Sequence, residues 1–244
     1  MTGETANDGV VLSGTRVSAE IGGLGWRYVL GSVRASIRLG PMWQVAEVAL
    51  ELIRSAGAGA DERLLLDLRP GRLELTLSAP GGAGLTAREL ACARTIATTA
   101  AEMGLPLAPR ADARRSVQTL EIGIDALVPA DIRPFWKAVL GYADEAGAGG
   151  PDDPLVDPLA QGPAIWFQRM AAPRPQRNRL HLDISVPHDE APARIEAALA
   201  AGGTLLSDQR APAFWVLADV EGNEACITTW QGRDQPVPVT RSSP

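Results

Sequence analysis

A repeated pattern of one strand, one helix and further strands constrains the second half of this chain more than any other sequence feature. The first copy is a strand, a helix and a later strand, predicted at residues 117–126, 129–140 and 164–170. The second copy is a strand, a helix and three short strands, predicted at residues 179–186, 189–201, 204–207, 214–218 and 224–230. Apolar and polar residues alternate along these strands, which is typical of strands with one buried face. The sequence therefore predicts one α+β domain built from two similar halves.

The first half has a different order of elements: helix, two strands, helix, two strands, helix. Gly31-Ser32 separates the first two strands, and Pro70-Gly71 marks a hairpin between the next two. Thr86 and Glu89 form a capping box at the start of the last helix, which ends at Gly104. This order predicts a compact α+β domain with an antiparallel sheet. The predicted parts of the chain are a disordered tail, a first domain, a linker, a second domain and another tail, at residues 1–12, 13–104, 105–116, 117–233 and 234–244.

The composition argues against several classes of partner. The net charge is −6 and the basic residues are scattered, which disfavours nucleic-acid binding. No apolar run approaches the roughly 20 residues of a membrane span. The two cysteines, Cys92 and Cys226, lie in different halves and form no metal-type pair. We therefore expect a reduced, cytoplasmic protein that binds neither nucleic acid nor membranes.

Three stretches of the second half carry a resemblance to a known superfamily. They are RPFWKAVLGY at 133–142, NRLHLDI at 178–184 and ADVEGNEAC at 218–226. Together with the tandem strand–helix–strands pattern, they make this half resemble the vicinal-oxygen-chelate superfamily, above all its glyoxalase-like members. The resemblance implies two βαβββ repeats that fold into a curved open sheet around a cavity, in which a small organic molecule is bound.

The resemblance also implies where a metal would be held, because metal-dependent members use side chains on the first and last strand of each repeat. Here the first strands supply Glu121 and His181, and the last strands supply Gln168 and Glu224. Carboxylate and imidazole ligands suit a divalent Fe, Mn, Ni or Zn ion. The family's usual Glu, three residues after a Gly-Asn pair, is replaced by Cys226. The predicted ligand set is therefore incomplete or altered.

The same cavity is expected to hold the residues that contact the ligand. Glu121 and His181 are the candidate catalytic residues, since a carboxylate within an apolar strand is costly to bury unless it is paired or coordinated. The candidate ligand-binding residues are Trp166, Gln168, Asp183, Trp215 and Cys226. An indole supplies apolar area and one donor, and Asp183 shares a strand face with His181, where it could orient the imidazole.

The first half resembles a pterin-4a-carbinolamine dehydratase domain. The resemblance rests on Gly25-Trp26, on the Asp-Leu-Arg of residues 67–69 and on GLTARELACAR at 84–94. That family places a His-His-Pro triplet before the Asp-Leu-Arg strand and a third His after the next strand. This chain has no His before His181, and carbinolamine dehydration needs proton donors and acceptors that work near neutral pH. We therefore expect a catalytically inactive first half that serves for dimerisation.

Four interpretations of function stay open at this point. The first is a metal-dependent lyase, isomerase or oxygenase that acts through Glu121 and His181. The second is a metal-free binding or resistance protein that holds a small molecule in the same cavity. The third, compatible with either, is an interaction protein in which the first half joins two copies into a homodimer. The fourth is an active 4a-hydroxytetrahydropterin dehydratase, which the missing histidines disfavour.

Overall fold

The computed structural model of the protein describes residues 9–80, 84–110, 116–145, 148–173 and 180–232. The chain divides into two compact units, residues 1–120 and residues 121–244. Within the described residues, the helices are all too short or too polar to cross a membrane. Most of the predicted first tail and all of the predicted second tail lie outside the described residues.

The first unit is a four-stranded antiparallel sheet with helices. The helices are α1 Gly14–Ile21, α2 Met42–Ala56, α3 Ala60–Arg63 and α4 Ala87–Glu102, with 3-10 turns at Gly22–Leu24 and Gly57–Gly59. The strands are β1 Arg27–Val29, β2 Ser32–Arg38, β3 Leu64–Arg69 and β4 Arg72–Ser78. Their order in the sheet is β1-β2-β4-β3. The predicted order of elements is confirmed, with one additional helical turn, α3, before the third strand.

Alternation along the two central strands places the core of the first unit on one face of its sheet. The buried residues of β2 are Val33, Ala35 and Ile37, and their direct partners on β4 are Leu77, Leu75 and Leu73. Helix α2 adds a buried row at helical spacing, formed by Val45, Val48, Ala49 and Leu52. Next to β1, the buried Trp26 donates its indole N–H to the carbonyl of Ala93 at 3.0 Å. This bond ties the edge of the sheet to α4.

The beginning of the predicted linker 105–116 is part of the first unit. Leu107 is buried in the core of that unit, and Ala108 pairs with Ser36 of β2 through backbone hydrogen bonds of 2.7 and 2.9 Å. This contact prolongs the sheet beyond β1, which pairs only with the first residues of β2. The sequence predicts a linker here because prolines and charged residues surround Leu105 and Leu107. Both leucines nevertheless contact the core of the first unit. Residues 111–115 lie outside the described residues.

The second unit contains two βαβββ repeats in tandem. The first repeat consists of β5 Glu121–Ala126, α5 Pro129–Leu140, β6 Ala143–Asp144, β7 Leu155–Val156 and β8 Ala164–Arg169. The second repeat consists of β9 Asp183–Ser185, α6 Ala191–Ala200, β10 Thr204–Arg210, β11 Phe214–Ala218 and β12 Glu224–Thr228. The two sheets have the equivalent orders β5-β8-β7-β6 and β9-β12-β11-β10. In each sheet the first strand pairs in parallel with the last, so the predicted repeat is confirmed.

The two repeats share one hydrophobic core. Its strand residues include Ile124, Ile165 and Phe167 from the first sheet and Leu217, Ala225 and Ile227 from the second. Helix α5 contributes Phe135 and Trp136, whose rings meet edge to face with centroids 5.5 Å apart. A Cβ added at Gly203 would lie 2.5 Å from the Phe135 ring, so the residue before β10 has to be glycine. With one face of each sheet in this core, the opposite faces are left for polar side chains.

Candidate functional site

Six of the eight predicted site residues lie on the strand faces that point away from the core, and a seventh, His181, lies two residues before β9. Successive side chains of a strand alternate between its two faces. The residues that alternate with the buried ones therefore form the opposite face of each sheet. We call this set the polar face of the second unit. Its first-sheet residues are Glu121, Gly123, Asp125, Ala164, Trp166 and Gln168, and its second-sheet residues are Asp183, Ser185, Glu224, Cys226 and Thr228.

Trp215 is the exception, because its partly buried side chain lies on the core face of β11, and its role in ligand binding stays a prediction. It pairs with the buried Ile227 in the ladder of β11 and β12, and its side chain packs against the core cluster. Strand β11 reads Phe-Trp-Val-Leu-Ala and is apolar on both sides. Alternation alone could therefore not show which side faced the core.

The register of β5 and β8 determines the neighbours on the first sheet. In order along the strands, the pairs are Glu121–Ala164, Gly123–Trp166 and Asp125–Gln168. Gln168 thus lies four residues beyond the level of Glu121, or about 13 Å along the strand, and Trp166 lies between them. The structure does not bring Glu121 and Gln168 together as metal ligands. The parallel register that separates them is a tertiary feature, which no local sequence pattern reveals.

The second sheet brings two of its four predicted residues together, because Cys226 lies beside Asp183. Thr228 lies beside Ser185, with the two hydroxyls 2.8 Å apart. A 2.9 Å bond from the Cys226 N–H to the Leu182 carbonyl continues this parallel contact one residue before β9. Asp183 and His181 are exposed, whereas Cys226 is buried.

These pairs do not add up to a metal centre. Among the described residues, which include Glu121, His181 and Glu224, no group of three or more His, Cys, Asp or Glu side chains is arranged to hold a metal ion. The partner of Glu121 in the ladder is Ala164, which has no ligating atom, and the ladder of β9 and β12 begins at Asp183 and Cys226, beyond His181 and Glu224. The residues present therefore do not fit the four-ligand site implied by the resemblance.

Trp166 forms an aromatic platform at the centre of the first sheet. A Cβ added at Gly123 would lie 2.8 Å from two carbons of the indole and 3.1 Å from its nitrogen. The indole therefore lies directly across the Gly123 backbone, in space that a side chain would otherwise fill. Although it packs on this strand, Trp166 remains 39% exposed.

The platform is flanked by two carboxylates. Glu121 and Asp125 lie two residues to either side of Gly123 on the same face of β5, so both are diagonal neighbours of Trp166 across the strand pair. The six residues that β5 and β8 place on this face, all of them described, include no Lys or Arg. An exposed aromatic surface between negative charges is thus the main chemical feature of this sheet.

A shallow open depression of about 350 Å³ adjoins the platform. It is lined by Asp125, Gln168, Arg169, Met170, Ala171 and Ala172. Arg169 is held by Asp152, with its guanidinium 2.7 Å from a carboxylate oxygen. Asp125 and Gln168 are adjacent across the strands, so carboxylate and amide groups meet at one end of the depression. A volume of this size accommodates a small organic molecule.

The loop 219–223, part of the stretch that carried the resemblance, is structural. Buried Asp219 accepts hydrogen bonds from the Trp136 indole, from the backbone N–H groups of Glu221 and Asn223, and from the Asn223 amide, each at 2.9 Å. Glu221 accepts the backbone N–H groups of Leu127 and Val128, just before α5, at 2.6 and 2.8 Å. The loop of the second repeat thereby holds the helix of the first. In the sequence, this motif pointed only to the family resemblance. Its role in holding α5 is visible only in the structure.

Comparison with known families supports the assignment of the second half. Residues 121–228 match the model of the family described as Glyoxalase-like domain. The match confirms the glyoxalase-like domain predicted there. It covers less than half of the chain and does not reach the first half, whose resemblance to a dehydratase stays a prediction.

Several solved structures align with just under half of this chain. A glyoxalase/bleomycin resistance protein/dioxygenase family enzyme from Burkholderia phytofirmans is 17% identical over 45% of this chain and 95% of its own, with a TM-score of 0.35. A glyoxalase-related enzyme from Fulvimarina pelagi is 21% identical over 47% and 88%, with a TM-score of 0.34. A mutant of the fosfomycin resistance protein FosX from Listeria monocytogenes, complexed with Mn(II) and dihydroxypropylphosphonic acid, is 12% identical over 44% and 86%, with a TM-score of 0.35. No curated protein matches the sequence.

Proposed function

We propose that the second half is a metal-independent small-molecule-binding domain of the glyoxalase-like type, and that its ligand is an organic cation bound on Trp166. The observation that carries the proposal is the exposed indole seated on Gly123 between Glu121 and Asp125. Of the interpretations open from the sequence, this favours the binding or resistance protein over the metal-dependent enzyme, because the polar face has no assembled metal ligands among its described residues.

The chemistry of the platform supports a positively charged ligand. A cation over an indole gains about 0.5–2 kcal/mol from the ring quadrupole, most when the site excludes water. The carboxylates of Glu121 and Asp125 add a favourable potential for the same charge. An uncharged aromatic molecule would gain the stacking alone, and an anion would be repelled. The depression beside Gln168 gives room for the rest of the molecule.

Replacing Trp166 with alanine is expected to weaken binding of an organic cation at least tenfold, since tenfold corresponds to about 1.4 kcal/mol. The probe is benzyltrimethylammonium, and its uncharged carbon analogue neopentylbenzene isolates the contribution of charge. Isothermal titration of the full chain gives both affinities. Wild-type protein should prefer the cation, and the Trp166→Ala variant should lose that preference.

Two matched variants sharpen this test. Trp230→Ala removes an exposed indole of the second unit that lies against His188, and it should leave cation binding unchanged. Gly123→Ala keeps Trp166 but places a methyl group 2.8 Å from its ring, so the indole must move and the affinity should fall. Equal binding of the charged and uncharged probes by wild-type protein, or equal loss in the Trp230→Ala variant, would contradict the proposed platform.

We also expect the purified full chain to hold no stoichiometric Fe, Mn, Ni or Zn. The reason is the arrangement of the candidate metal ligands. Ala164 lies beside Glu121, and Gln168 lies about 13 Å further along the strand. Elemental analysis after dialysis against each metal measures the content directly. About one ion per chain, lost in a His181→Ala variant, would restore the metal-dependent interpretation.

A further inference from the structure

The face of the first sheet that points away from its core carries an excess of positive charge. The residues of β1 to β4 are all described, and those on this face alternate with the buried core residues. Two of them are carboxylates, Asp67 and Glu74, and five are arginines, Arg27, Arg34, Arg38, Arg69 and Arg72. The chain as a whole has a net charge of −6, so this face is opposite in sign to the molecule that carries it.

Three of these arginines lie side by side across neighbouring strands. Arg38 of β2 is the direct partner of Arg72 of β4, and Arg72 is the direct partner of Arg69 of β3. Direct partners have Cβ atoms about 4.5–5.5 Å apart, so the three side chains start within roughly 10 Å of one another. We call Arg38, Arg69 and Arg72 the arginine row.

The backbone next to the arginine row is held in place. The Leu39 N–H donates to the Gly71 carbonyl and the Gly71 N–H donates to the Gly40 carbonyl, each at 2.9 Å. These two bonds join the end of β2 to the hairpin between β3 and β4. The spacing of the three arginines is therefore fixed by the sheet.

The charges of the arginine row are only partly compensated. The Nε atom of Arg69 donates to both carboxylate oxygens of Asp67 at 3.0 Å, and the Nε atom of Arg72 lies 3.0 Å from Glu74. Arg38 is exposed and forms no hydrogen bond or ion pair with the described residues. Like charges directly opposite each other destabilise a sheet. The row thus opposes folding, while the terminal amino groups of its guanidiniums stay available as donors.

We propose that the arginine row binds the diphosphate group of a small soluble molecule. A guanidinium donates two parallel hydrogen bonds to phosphate oxygens, and such charge-assisted bonds are the strong ones. Two linked phosphoryl groups present enough terminal oxygens for three guanidiniums at once, whereas a single carboxylate presents two. A nucleic-acid strand fits less well, because Asp67 and Glu74 lie directly beside the row and would repel a longer line of phosphates.

The arginine row is separate from the site implied by the dehydratase resemblance. That family has its histidines before the strand that corresponds to β3 and after the strand that corresponds to β4. These positions adjoin Leu64 and Ser78, at one end of the two strands, whereas the row lies beside Gly71 at the other end. The proposed diphosphate site therefore does not depend on the missing histidines, nor on the cation site proposed for the second half.

Isothermal titration of the full chain with inorganic pyrophosphate, at low ionic strength in phosphate-free buffer, tests the proposal. Wild-type protein should bind pyrophosphate, and Arg38→Gln should weaken the binding about tenfold or more, because one of three charged donors is lost. The matched control is Arg54→Gln, which removes an exposed arginine of α2 that contacts Glu51 and should leave the affinity unchanged. Malonate, with two carboxylates, should bind at least about tenfold more weakly than pyrophosphate.

Thermal unfolding provides a readout that a structural role of Arg38 would move in the other direction. Without ligand, Arg38→Gln should be at least as stable as wild type, because it removes repulsion from Arg72. Pyrophosphate should raise the unfolding temperature of the first unit in wild type and much less in the variant. The proposal is overturned by wild-type protein that does not bind pyrophosphate, by equal losses in the two variants, by equal affinity for malonate or tighter binding of a single-stranded oligonucleotide, or by an Arg38→Gln variant that is less stable without ligand.

Discussion

Replacing Asp219 with alanine is expected to lower the free energy of unfolding of the second unit by about 3–5 kcal/mol, since each buried donor left without a partner costs about 1–3 kcal/mol. The Asp219 side chain is 3% exposed and accepts four hydrogen bonds, from Trp136, Glu221 and Asn223. Its loss leaves the buried Trp136 indole and two partly buried backbone N–H groups, those of Glu221 and Asn223, without this acceptor. Urea unfolding, followed by hydrogen exchange at the amides of α5 and β12, measures the change in this unit.

Two further variants distinguish the loss of the Asp219 hydrogen bonds from the loss of a negative charge alone. Asp219→Asn keeps one acceptor oxygen for the backbone N–H groups but turns an NH₂ group toward other donors, so an intermediate loss is expected. Asp208→Ala removes an exposed carboxylate of β10 in the same unit, and surface changes of this kind stay within about 0.5 kcal/mol. A loss below about 1 kcal/mol for Asp219→Ala would show that the loop is not a stabilising clamp.

Replacing Glu89 with alanine is expected to destabilise the first unit by about 3–5 kcal/mol, because a buried charge then loses its partner. The Glu89 side chain is 3% exposed and receives the Arg63 guanidinium at 2.9 Å, the Thr86 N–H at 2.8 Å and the Thr86 hydroxyl at 2.6 Å. Without it, Arg63, whose own side chain is only 12% exposed, keeps only the exposed Glu62 as a partner, and α4 loses its capping box. Thermal unfolding followed at the amides of α4 measures the effect.

The stabilisation by Glu89 should also depend on pH. Burial raises the pKa of Glu89, but hydrogen bonds from Thr86 and Arg63 lower it by more, so its pKa lies below the ordinary value of 4.5. A lowered pKa means that the ionised form favours the folded state. Its stabilisation is therefore fully present above pH 4.5 and is lost as the pH falls through the folded-state pKa. The difference in stability between wild type and Glu89→Gln should shrink in that range.

The control for Glu89 is Glu62, an exposed carboxylate that also contacts Arg63. Glu62 lies 3.4 Å from Arg63, but its side chain is 68% exposed, and exposed ion pairs contribute about 0–1 kcal/mol. Glu62→Ala should therefore change stability little and leave the pH dependence as in wild type. An equal effect of the two substitutions would mean that burial is not what makes Glu89 stabilising.

Most elements of the fold were predictable because their signals are local. Period-two alternation located β2 and β4, and the capping box at Thr86 and Glu89 was found in the structure as predicted. The boundaries of β5 and β9 were less predictable: both strands begin four residues later than the sequence indicates. Strand ends depend on where a pairing partner stops, which is a property of the sheet and not of the segment.

Residue types at the site were predictable, but their neighbours were not. In the structure, Glu121, Trp166, Gln168, Asp183, Glu224 and Cys226 lie on strand faces opposite the core clusters, and their role as site residues stays a prediction. Trp215 lies on the core face of β11, which alternation could not show because β11 is apolar on both faces.

The sequence by itself determined the two-part organisation, the tandem βαβββ repeats and the face to which each alternating side chain belongs, because all of these follow from spacing along one segment. The tertiary structure alone decided which residues of different segments are neighbours. Strand register placed Ala164 beside Glu121 and Trp166 across Gly123. Register is set by the packing of the whole sheet, so no local pattern carries it.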